Sequence, residues 1–276
     1  MAGTLYIVAT PIGNLEDITL RAVRVLGEVD LVACEDTRQT RKLLDRFGIA
    51  KPTVSYHEHN EAARTADLLR RLEGGASVAL VTDAGTPLVS DPGYRLVAAA
   101  IQAGLAVTPL PGPSAALAAV AAAGLPANVF RFCGFLPPKS GQRRKTLEEL
   151  REETCTLIFY EAPHRIVEAL ADVEAVFGER PMVVARELTK IHEEFLRGTA
   201  SQIRARLAAR AAVKGEITVL IGKATGAVQI AATSPEDAVR ELERQGVSRM
   251  DAIKQVAKAR GLAKREVYRL VSGLPR

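Results

Sequence analysis

The chain has 276 residues, of which 47% are hydrophobic, and a formal net charge of +5. Aromatic residues make up 4% and Trp is absent, which argues against single-stranded nucleic-acid binding on an aromatic stacking platform. The longest apolar run, residues 115–126, is too short to span a bilayer, and three distant cysteines match neither a disulfide framework nor a zinc site. The chain starts directly on a predicted strand, so we expect no signal peptide and a cytoplasmic protein.

Short strand-like runs alternate with helical patterns along the chain. We predict eight strands, several of them continuously apolar: Thr4–Ala9, Val29–Cys34, Ser77–Thr82, Ala106–Leu110, Phe130–Gly134, Thr156–Tyr160, Met182–Glu187 and Ile217–Ile221. We predict helices at Asp17–Leu26, Thr37–Phe47, Glu61–Leu72, Ala115–Ala123 and Pro163–Phe177. Glycines end four of these helices, at positions 27, 48, 74 and 178. The alternation predicts an α/β fold with mixed, largely parallel sheets.

Two points in the sequence predict changes of domain. Pro111–Pro113 closes a series of strand–helix–strand units, and Ser114 can cap the Ala-rich helix that follows. Apolar periodicity fades near Gly226–Ser234, after which Pro235 opens a helical segment. We therefore predict an N-terminal α/β domain at residues 1–112, a C-terminal α/β domain at 113–226 and a small helical tail at 227–276.

The tail has the pattern of a helix, a turn at Gly261 and a second helix. Ten Lys or Arg against six Asp or Glu between Pro235 and Arg276 give it a net charge of about +4. Its apolar positions are expected to face each other: Ile253, Val256 and Ala257 against Val267, Leu270 and Val271. The pattern fits a helix-turn-helix that contacts RNA backbone through Lys264, Arg265 and Arg269, and it fits a small packing appendage equally well.

Three predicted strands end in turns rich in Gly and Pro: "TPIGN" at 10–14, "DAGTPLVSDPG" at 83–93 and "PLPGPS" at 109–114. Ligands of open α/β sheets bind beyond the carboxyl ends of the strands, and such turns let backbone groups approach them. Neither G-x-G-x-x-G nor a P-loop pattern occurs, which argues against a nucleotide phosphate site. The turns therefore predict a small-molecule site held mostly by backbone and van der Waals contacts, although any one of them could be only an elaborate turn.

Seven motifs follow one another with sensible spacing: "YIVATPIGNLEDIT", "EDTRQTRKLL", "VTDAGTPLVSDPG", "PLPGPSA", "FYEAPHR", "ARELTK" and "KGE". In this combination the chain resembles the tetrapyrrole methylase superfamily, the class III S-adenosylmethionine methyltransferases, over about residues 5–222. It is most similar to the branch that methylates ribosomal RNA, because "EDTRQTRKLL", "HNE" and "FYEAPHR" distinguish that branch from the porphyrin-precursor enzymes. The resemblance implies two α/β domains with the cofactor in the cleft between them, and a homodimer.

The resemblance also implies the substrate and the cofactor positions. The reaction would be 2′-O-methylation of a cytidine ribose, cytidine 1402, in 16S rRNA of the small ribosomal subunit. The cofactor-binding positions, carried over from the matching motifs, are Pro11, Ile12, Asp83, Thr86, Val89, Ser114, Ala115, Tyr160, Leu188, Gly215 and Glu216. Two alternatives stay open. One is methylation of a small tetrapyrrole precursor, which needs no basic clusters, and the other is a non-catalytic RNA-binding module, which needs no cofactor site.

A ribose hydroxyl is a poor nucleophile until its proton leaves, so a proton acceptor is expected within hydrogen-bond distance of it. Glu161 directly follows one predicted strand and Glu187 ends another, and these two are the candidates, with Arg186 as an orienting group. A structural salt-bridge network is the alternative. In "YHEHNE" we predict no metal, because His-x-His lacks a clear third ligand. The resemblance favours Asn60 as an active-cleft residue, and its alternative role is to cap the helix starting at Glu61.

Clusters of cationic residues are the candidates for contacts with RNA phosphates. Arg38, Arg41 and Lys42 share one helix face, and Asp36 or Thr37 can cap that helix. "PPKSGQRRKT" places positive charge at a helix start, which opposes the helix dipole unless a phosphate lies there. The full set of candidates is Arg38, Arg41, Lys42, Lys139, Arg143, Arg144, Lys145, Arg165 and Lys190. Solvated helix faces are the alternative interpretation.

Overall fold

The first half of the protein forms a parallel five-stranded sheet in the order β3-β2-β4-β1-β5. The computed structural model describes residues 2–224, 234–244 and 247–272. The strands of this first sheet are β1 (Thr4–Val8), β2 (Leu31–Cys34), β3 (Thr53–Ser55), β4 (Val78–Leu80) and β5 (Ala106–Leu110). β2 and β4 are buried along their whole length, as expected for parallel strands covered on both faces.

Helices cover both faces of the first sheet. They are α1 (Leu20–Glu28), α2 (Thr37–Arg46), α3 (Glu61–Glu73) and α4 (Tyr94–Gln102), and a short 3-10 turn at Leu15–Asp17 precedes α1. Leu26 of α1 and Leu44 of α2 pack in one apolar cluster with Val32. Leu68 of α3 and Leu96 of α4 pack in a second cluster on the opposite face. The two clusters hold the carboxyl ends of the strands along one edge, where the Gly/Pro turns begin.

The second half forms a mixed five-stranded sheet in the order β6-β7-β10-β8-β9. Its strands are β6 (Phe130–Phe135), β7 (Thr156–Glu161), β8 (Met182–Arg186), β9 (Glu194–Gly198) and β10 (Ile217–Ile221). β6 and β7 are parallel, and the other neighbouring pairs are antiparallel. On one face lie α6 (Ser140–Glu149), α7 (Ile166–Phe177) and α8 (Ala200–Ala208). On the other face α5 (Ala115–Ala123) packs together with Ile12 from the first half.

The predicted α/β class with mixed, largely parallel sheets is confirmed. Four elements were not predicted: β3, β9, α4 and α8. The helix predicted to end before Gly27 runs through it to Glu28, because the packing of Leu26 and its neighbours outweighs the weak helix propensity of glycine. The helix predicted from Pro163 begins at Ile166. The division into domains at residue 112 stays a prediction.

The described part of the tail, residues 234–244 and 247–272, contains three helices with an apolar core of their own. They are α9 (Pro235–Arg244), α10 (Arg249–Arg260) and α11 (Lys264–Val271). Val239 of α9 and Val256 of α10 are fully buried with Val267 of α11. Leu270 is 41% exposed, so its predicted place in this core is wrong. The predicted change near Gly226–Ser234 lies, except for Ser234, outside the described residues. Within the described ranges, no helix is both long and apolar enough to cross a membrane.

Candidate active site

A cavity of about 340 Å³ lies where the carboxyl ends of the first sheet meet the second sheet. The turns after β1, β4 and β5 line it from one side, and the ends of β7 and β10 with the loop after β8 line it from the other. Its surface is mostly apolar. The residues around it are Ile12, Thr82, Asp83, Ala84, Gly85, Thr86, Val89, Ser90, Asp91, Ser114, Ala115, Phe135, Tyr160, Glu161, Ala162, Pro163, Leu188, Gly215, Glu216, Ile217 and Thr218.

The structure brings most of the predicted cofactor-binding residues together in this cavity. Those that line it are Ile12, Asp83, Thr86, Val89, Ser114, Ala115, Tyr160, Leu188, Gly215 and Glu216. Pro11 is buried beside Ile12 and does not line the cavity. Their contact with a cofactor remains a prediction, and their convergence from both sheets is a property of the fold.

The loop after β4 is tied to both other Gly/Pro turns. The backbones of Thr10 and Gly85 exchange two hydrogen bonds, of 2.8 and 3.0 Å, and Gly85 has a φ of +93° that favours glycine. The Thr86 hydroxyl donates to the carbonyl oxygen of Pro113 at 3.0 Å. The concentration of turn residues in "DAGTPLVSDPG" therefore serves to join three strand ends into one rigid surface of the cavity.

Two buried polar atoms at the cavity are left unsatisfied. Oε1 of Glu161 accepts hydrogen bonds from the Ala162 N–H at 2.7 Å and from Nε of Arg165 at 3.0 Å. Oε2 of the same carboxylate is buried and has no hydrogen-bond partner among the described residues, and the same holds for the Thr82 hydroxyl. Buried polar groups are nearly always hydrogen-bonded. These two atoms are therefore available for hydrogen bonds to a ligand or to ordered water.

Glu187 lies beside the cavity and holds part of its lining in place. Its Oε1 accepts hydrogen bonds from Nζ of Lys190 at 2.9 Å and from the Glu216 N–H at 3.0 Å. The hydrogen bond from Lys190 is the main cause that lowers the pKa of Glu187. A Cβ at Gly215 would lie 2.4 Å from this carboxyl group. Glu187 thus positions the turn at 215–216, and Lys190 is occupied by Glu187 and Glu216.

The Arg186 side chain is hydrogen-bonded to Glu194 of β9 and to the backbone of Lys214, and it does not line the cavity. Its Nε donates to Glu194 at 3.1 Å and its Nη1 donates to the carbonyl oxygen of Lys214 at 3.0 Å. Nη2 of Arg210 lies 2.5 Å from the other carboxylate oxygen of Glu194. Hydrogen bonds from Arg210, and next from Arg186, lower the pKa of Glu194 to about 2. This geometry fits the structural salt-bridge network that the sequence left open.

Replacing Glu194 with Gln is expected to remove a pH-dependent part of the stability. The folded-state pKa of Glu194 lies below its ordinary value of 4.5, so its stabilising effect is complete above that value and is lost as the pH falls toward 2. Urea unfolding at several pH values between about 3 and 7 should show the advantage of the wild type over E194Q shrinking as the pH falls. The same change at exposed Glu149 is the control, and a constant difference between wild type and E194Q would contradict the prediction.

Asn60 also lies outside the cavity lining. Its Oδ1 accepts a hydrogen bond from the His57 N–H at 2.9 Å, and its Nδ2 donates to the carbonyl oxygen of Ser55 at 3.1 Å. Its side chain makes no cap to α3, so the alternative role as a helix cap is wrong. Asn60 instead fixes the turn after β3. Across the described ranges, no group of three or more His, Cys, Asp and Glu is placed to hold a metal ion.

The predicted RNA-binding cations differ in exposure. The exposed ones are Arg38, Arg41, Lys42, Lys139, Arg144 and Lys145, although Arg38 also pairs with Asp36 and Arg144 with Asp172. Arg143 is 1% exposed and pairs with Asp172 at 2.6 Å, so the prediction that it contacts RNA is wrong. Arg165 is mostly buried in its pair with Glu161. Asp36, and not Thr37, caps α2, since its carboxylate accepts from the Arg38 N–H at 2.8 Å.

Several residues of the cavity were not predicted, among them Thr82, Ser90, Asp91, Phe135 and Thr218. Phe135 stacks edge-on against Tyr160 at 5.6 Å between ring centroids, from the exposed end of β6. Asp91 lies in the "SDPG" turn, where an aspartate looks like an ordinary turn residue. Its position in the loop after β4 was the signal that could have identified it.

The amino-acid sequence matches the model of the Tetrapyrrole (Corrin/Porphyrin) Methylases over residues 4–204. The Ribosomal RNA small subunit methyltransferase I of Halalkalibacterium halodurans is 48% identical over 273 residues, covering 97% of this chain and 94% of that protein. The protein of the same name from Micromonospora olivasterospora is 50% identical over 277 residues, covering 100% of this chain and 84% of that protein.

Solved structures share the fold at low sequence identity. A diphthine synthase matches with a TM-score of 0.61 and 15% identity, covering 80% of this chain and 90% of that one. Uroporphyrin-III C-methyl transferase from Thermus thermophilus, complexed with S-adenosyl homocysteine, matches with a TM-score of 0.55 and 20% identity, covering 79% and 97%. The shared fold and the cavity agree with the sequence matches. The chain therefore belongs to the tetrapyrrole methylase family and, within it, to the ribosomal RNA small subunit methyltransferase I family.

Proposed function

We propose that this protein transfers a methyl group from S-adenosylmethionine to the 2′-hydroxyl of a cytidine ribose, cytidine 1402, in 16S rRNA of the small ribosomal subunit. The observation that carries the proposal is a largely apolar cavity of about 340 Å³, with two unsatisfied buried polar atoms, in a chain similar over nearly its whole length to proteins named as ribosomal RNA methyltransferases. A volume of this size lies within the usual range for small-molecule sites, roughly 300–1,000 Å³.

The residues of the cavity suit the cofactor. Bound S-adenosylmethionine supplies a methyl group activated by its attachment to a positively charged sulfur. Ile12, Val89 and Leu188 offer van der Waals contact to uncharged parts of a ligand. Glu161 can accept a hydrogen bond through its free Oε2, while Arg165 and the Ala162 N–H hold its other oxygen. Glu187 and Lys190 neutralise each other in an ion pair. Glu187 also accepts a hydrogen bond from the Glu216 N–H, and this contact holds the turn at 215–216 in place.

The RNA would approach over the cationic residues that lie on the surface. Arg38, Arg41 and Lys42 lie on α2, which begins where β2 ends, and β2 is the neighbour of the strand that leads into the main loop of the cavity. Lys139, Arg144 and Lys145 at the start of α6 form a second exposed group. Phosphate contacts position a nucleic acid without reading its sequence. The choice of one cytidine must therefore come from contacts to bases or from the shape of the RNA around it.

The proposed function is tested by methyl transfer from labelled S-adenosylmethionine to small ribosomal subunits that lack the modification. We expect label on one ribose 2′-oxygen, detected as an alkali-resistant linkage next to a cytidine. A parallel reaction with uroporphyrinogen-type substrates should give no product. Label only on the tetrapyrrole would replace the proposal with the alternative, and tight RNA binding without label on either substrate would favour a non-catalytic RNA-binding protein.

The family resemblance further supports a homodimer that acts in the cytoplasm, with α/β domains at residues 1–112 and 113–226 and a helical tail at 227–276. Sedimentation at micromolar concentration tests the dimer, and a monomer there would remove it. Limited proteolysis tests the division, since domain boundaries are expected to be cut before the packed interiors of the two sheets.

A further inference from the structure

Asp91 is held at the cavity by a loop in an unusual backbone conformation. It lies between Ser90, which has a φ of +68°, and Pro92, and nearby Leu88 has a φ of +72°. Residues other than glycine avoid this region unless their surroundings hold them there, and such strain is concentrated at functional sites. Gly93 closes the loop against the core, because a Cβ there would lie 2.9 Å from the Leu80 side chain. The position of Asp91 is therefore fixed by the fold.

Asp91 has no cationic partner. No Lys, Arg or His in the ranges that the structure describes forms an ion pair with it, nor with Glu35 or Asp83. Glu35 directly follows β2, and Asp83 and Asp91 line the cavity from the loop after β4, the neighbouring strand. Three carboxyl groups thus lie at two adjacent strand ends, two of them in the lining of a cavity where Oε2 of Glu161 lacks a hydrogen-bond partner among the described residues.

The surroundings of Asp91 favour its protonated form. Burial is the main cause that raises the pKa of Asp91, and the charge of Asp83 adds to the rise. The nearby Thr82 hydroxyl lowers the pKa of Asp91 and so offsets part of the rise caused by burial. This hydroxyl makes no hydrogen bond of normal geometry to any described residue. Tyr160 of the second sheet lines the same cavity as Asp91. Burial is the main cause that raises the pKa of this phenol, and the charge of Asp91 adds a smaller rise.

The charges of Asp83 and Asp91 act on Glu35, and the charge of Asp83 acts on Asp91. Burial and then the charges of Asp83 and Asp91 raise the pKa of Glu35, with Glu58 and Asp36 as smaller causes. Burial also raises the pKa of Asp83, although the Asp36 N–H donates to its Oδ1 at 3.1 Å. A proton acceptor works best when its pKa lies near the working pH. The carboxylates expected from the sequence are worse placed, because Glu161 is paired with Arg165 and Glu187 with Lys190.

We infer that Asp91 accepts the proton of the ribose 2′-hydroxyl, and that Asp83, on the same loop of the cavity, is a positioning residue. The inference rests on the proposed function. In the step, the O–H bond breaks and the proton passes to a carboxylate oxygen of Asp91. The electron pair left on the ribose oxygen forms the new bond to the methyl carbon, and the carbon–sulfur bond breaks with its pair going to sulfur, which becomes neutral.

The central test is Asp91→Asn, which keeps the shape of the side chain and removes its ability to take a proton. We expect kcat to fall by roughly 100-fold or more, the usual contribution of a general base. S-adenosylhomocysteine binding, measured by calorimetry, should stay at the wild-type level. Asp91→Glu should restore part of the activity. The matched control is Asp45→Asn on the exposed face of α2, which should leave both quantities unchanged.

The pH profile separates proton transfer from a structural role. The wild-type kcat should fall as the pH drops through the pKa of Asp91, because only the carboxylate accepts a proton. Asp83→Asn removes the like charge that helps to raise the pKa of Asp91, so it should move this acidic limb to lower pH. In the free protein, ¹³C NMR of labelled aspartate should show the carboxyls of Asp83 and Asp91 titrating above the usual range, and one of the two signals should be missing in D91N. Glu161→Gln should weaken S-adenosylhomocysteine binding without moving the limb.

Three results would overturn the inference while the wild type still methylates ribose. They are full activity in D91N, an unchanged acidic limb in D83N, and a loss of S-adenosylhomocysteine binding in D91N that accounts for its whole defect. If the wild type transfers no methyl group to ribose, the proposed function fails and the inference fails with it.

Discussion

Replacing Asp172 with Ala is expected to destabilise the protein by about 3–5 kcal/mol, because it leaves a buried guanidinium without a counter-charge. Arg143 and Asp172 have side chains that are 1% and 4% exposed and lie 2.6 Å apart. Arg144 and Ser140 also donate to the Asp172 carboxylate, at 2.6 and 3.0 Å. Burial alone would raise the pKa of Asp172, but hydrogen bonds from Arg144, Ser140 and Arg143 hold it below 3.8.

Urea unfolding of D172A, followed by circular dichroism, measures this loss. The matched control is Glu148→Ala, which breaks an ion pair to Arg151 whose side chains are 52% and 58% exposed and should cost less than about 1 kcal/mol. If D172A does not fold, the double variant Arg143→Met with Asp172→Leu removes both charges and should recover most of the stability. A D172A protein as stable as the E148A control would show that Arg143 finds another partner.

Replacing Gly215 with Ala is expected to lower kcat/KM on the order of 100-fold, the loss that a misplacement of about 1 Å can produce in an active site. Gly215 has a φ of +91°, and a Cβ there would lie 2.4 Å from the Glu187 carboxyl group. That carboxyl cannot move freely, because it accepts from Lys190 and from the Glu216 N–H. The added methyl group must therefore displace the turn at 215–216, which lines the cavity.

A substitution at a second glycine separates the two causes of the expected loss in G215A, which are backbone strain and the collision with Glu187. Gly48 has a φ of +66° and open space where a Cβ would lie, so Gly48→Ala carries the backbone strain without the collision. G48A should lose about 1 kcal/mol of stability and keep its activity. Calorimetry of S-adenosylhomocysteine binding and a melting curve should show G215A weakened in binding beyond its loss of stability. Binding at the wild-type level in G215A would contradict the prediction.

Local patterns were sufficient wherever a feature depends on neighbouring residues. The turn at 10–14 and the loop at 83–93 are marked by Gly and Pro, whose backbone preferences act within a few residues. Parallel strands place their carboxyl ends at one edge, so turns far apart in sequence could be expected to meet. Ser114 caps α5 as predicted, through a weak contact to the Leu117 N–H at 3.5 Å, because capping is also a local interaction.

Features that depend on which face of an element is covered could not be predicted in this way. Arg143 lies in a run of cations that looks like a solvated helix start, yet it shares a face with the buried Leu147 and reaches Asp172 on α7. Its residue type gave no sign of this burial. Asp91 was overlooked because an aspartate in an "SDPG" turn looks like an ordinary turn residue, and only the pairing of β2 with β4 brings Glu35 near that loop.

The sequence by itself determined the alternation of strands and helices, the three Gly/Pro turns and the family to which they belong, since each is encoded in residues close together along the chain. The packed structure established that the second sheet is mostly antiparallel, that Glu187 and Arg186 are held in ion pairs, and that Asp91 forms none with any residue the structure describes. Strand direction, burial and charge pairing depend on contacts between residues that are distant in sequence, and only the packed fold establishes those contacts.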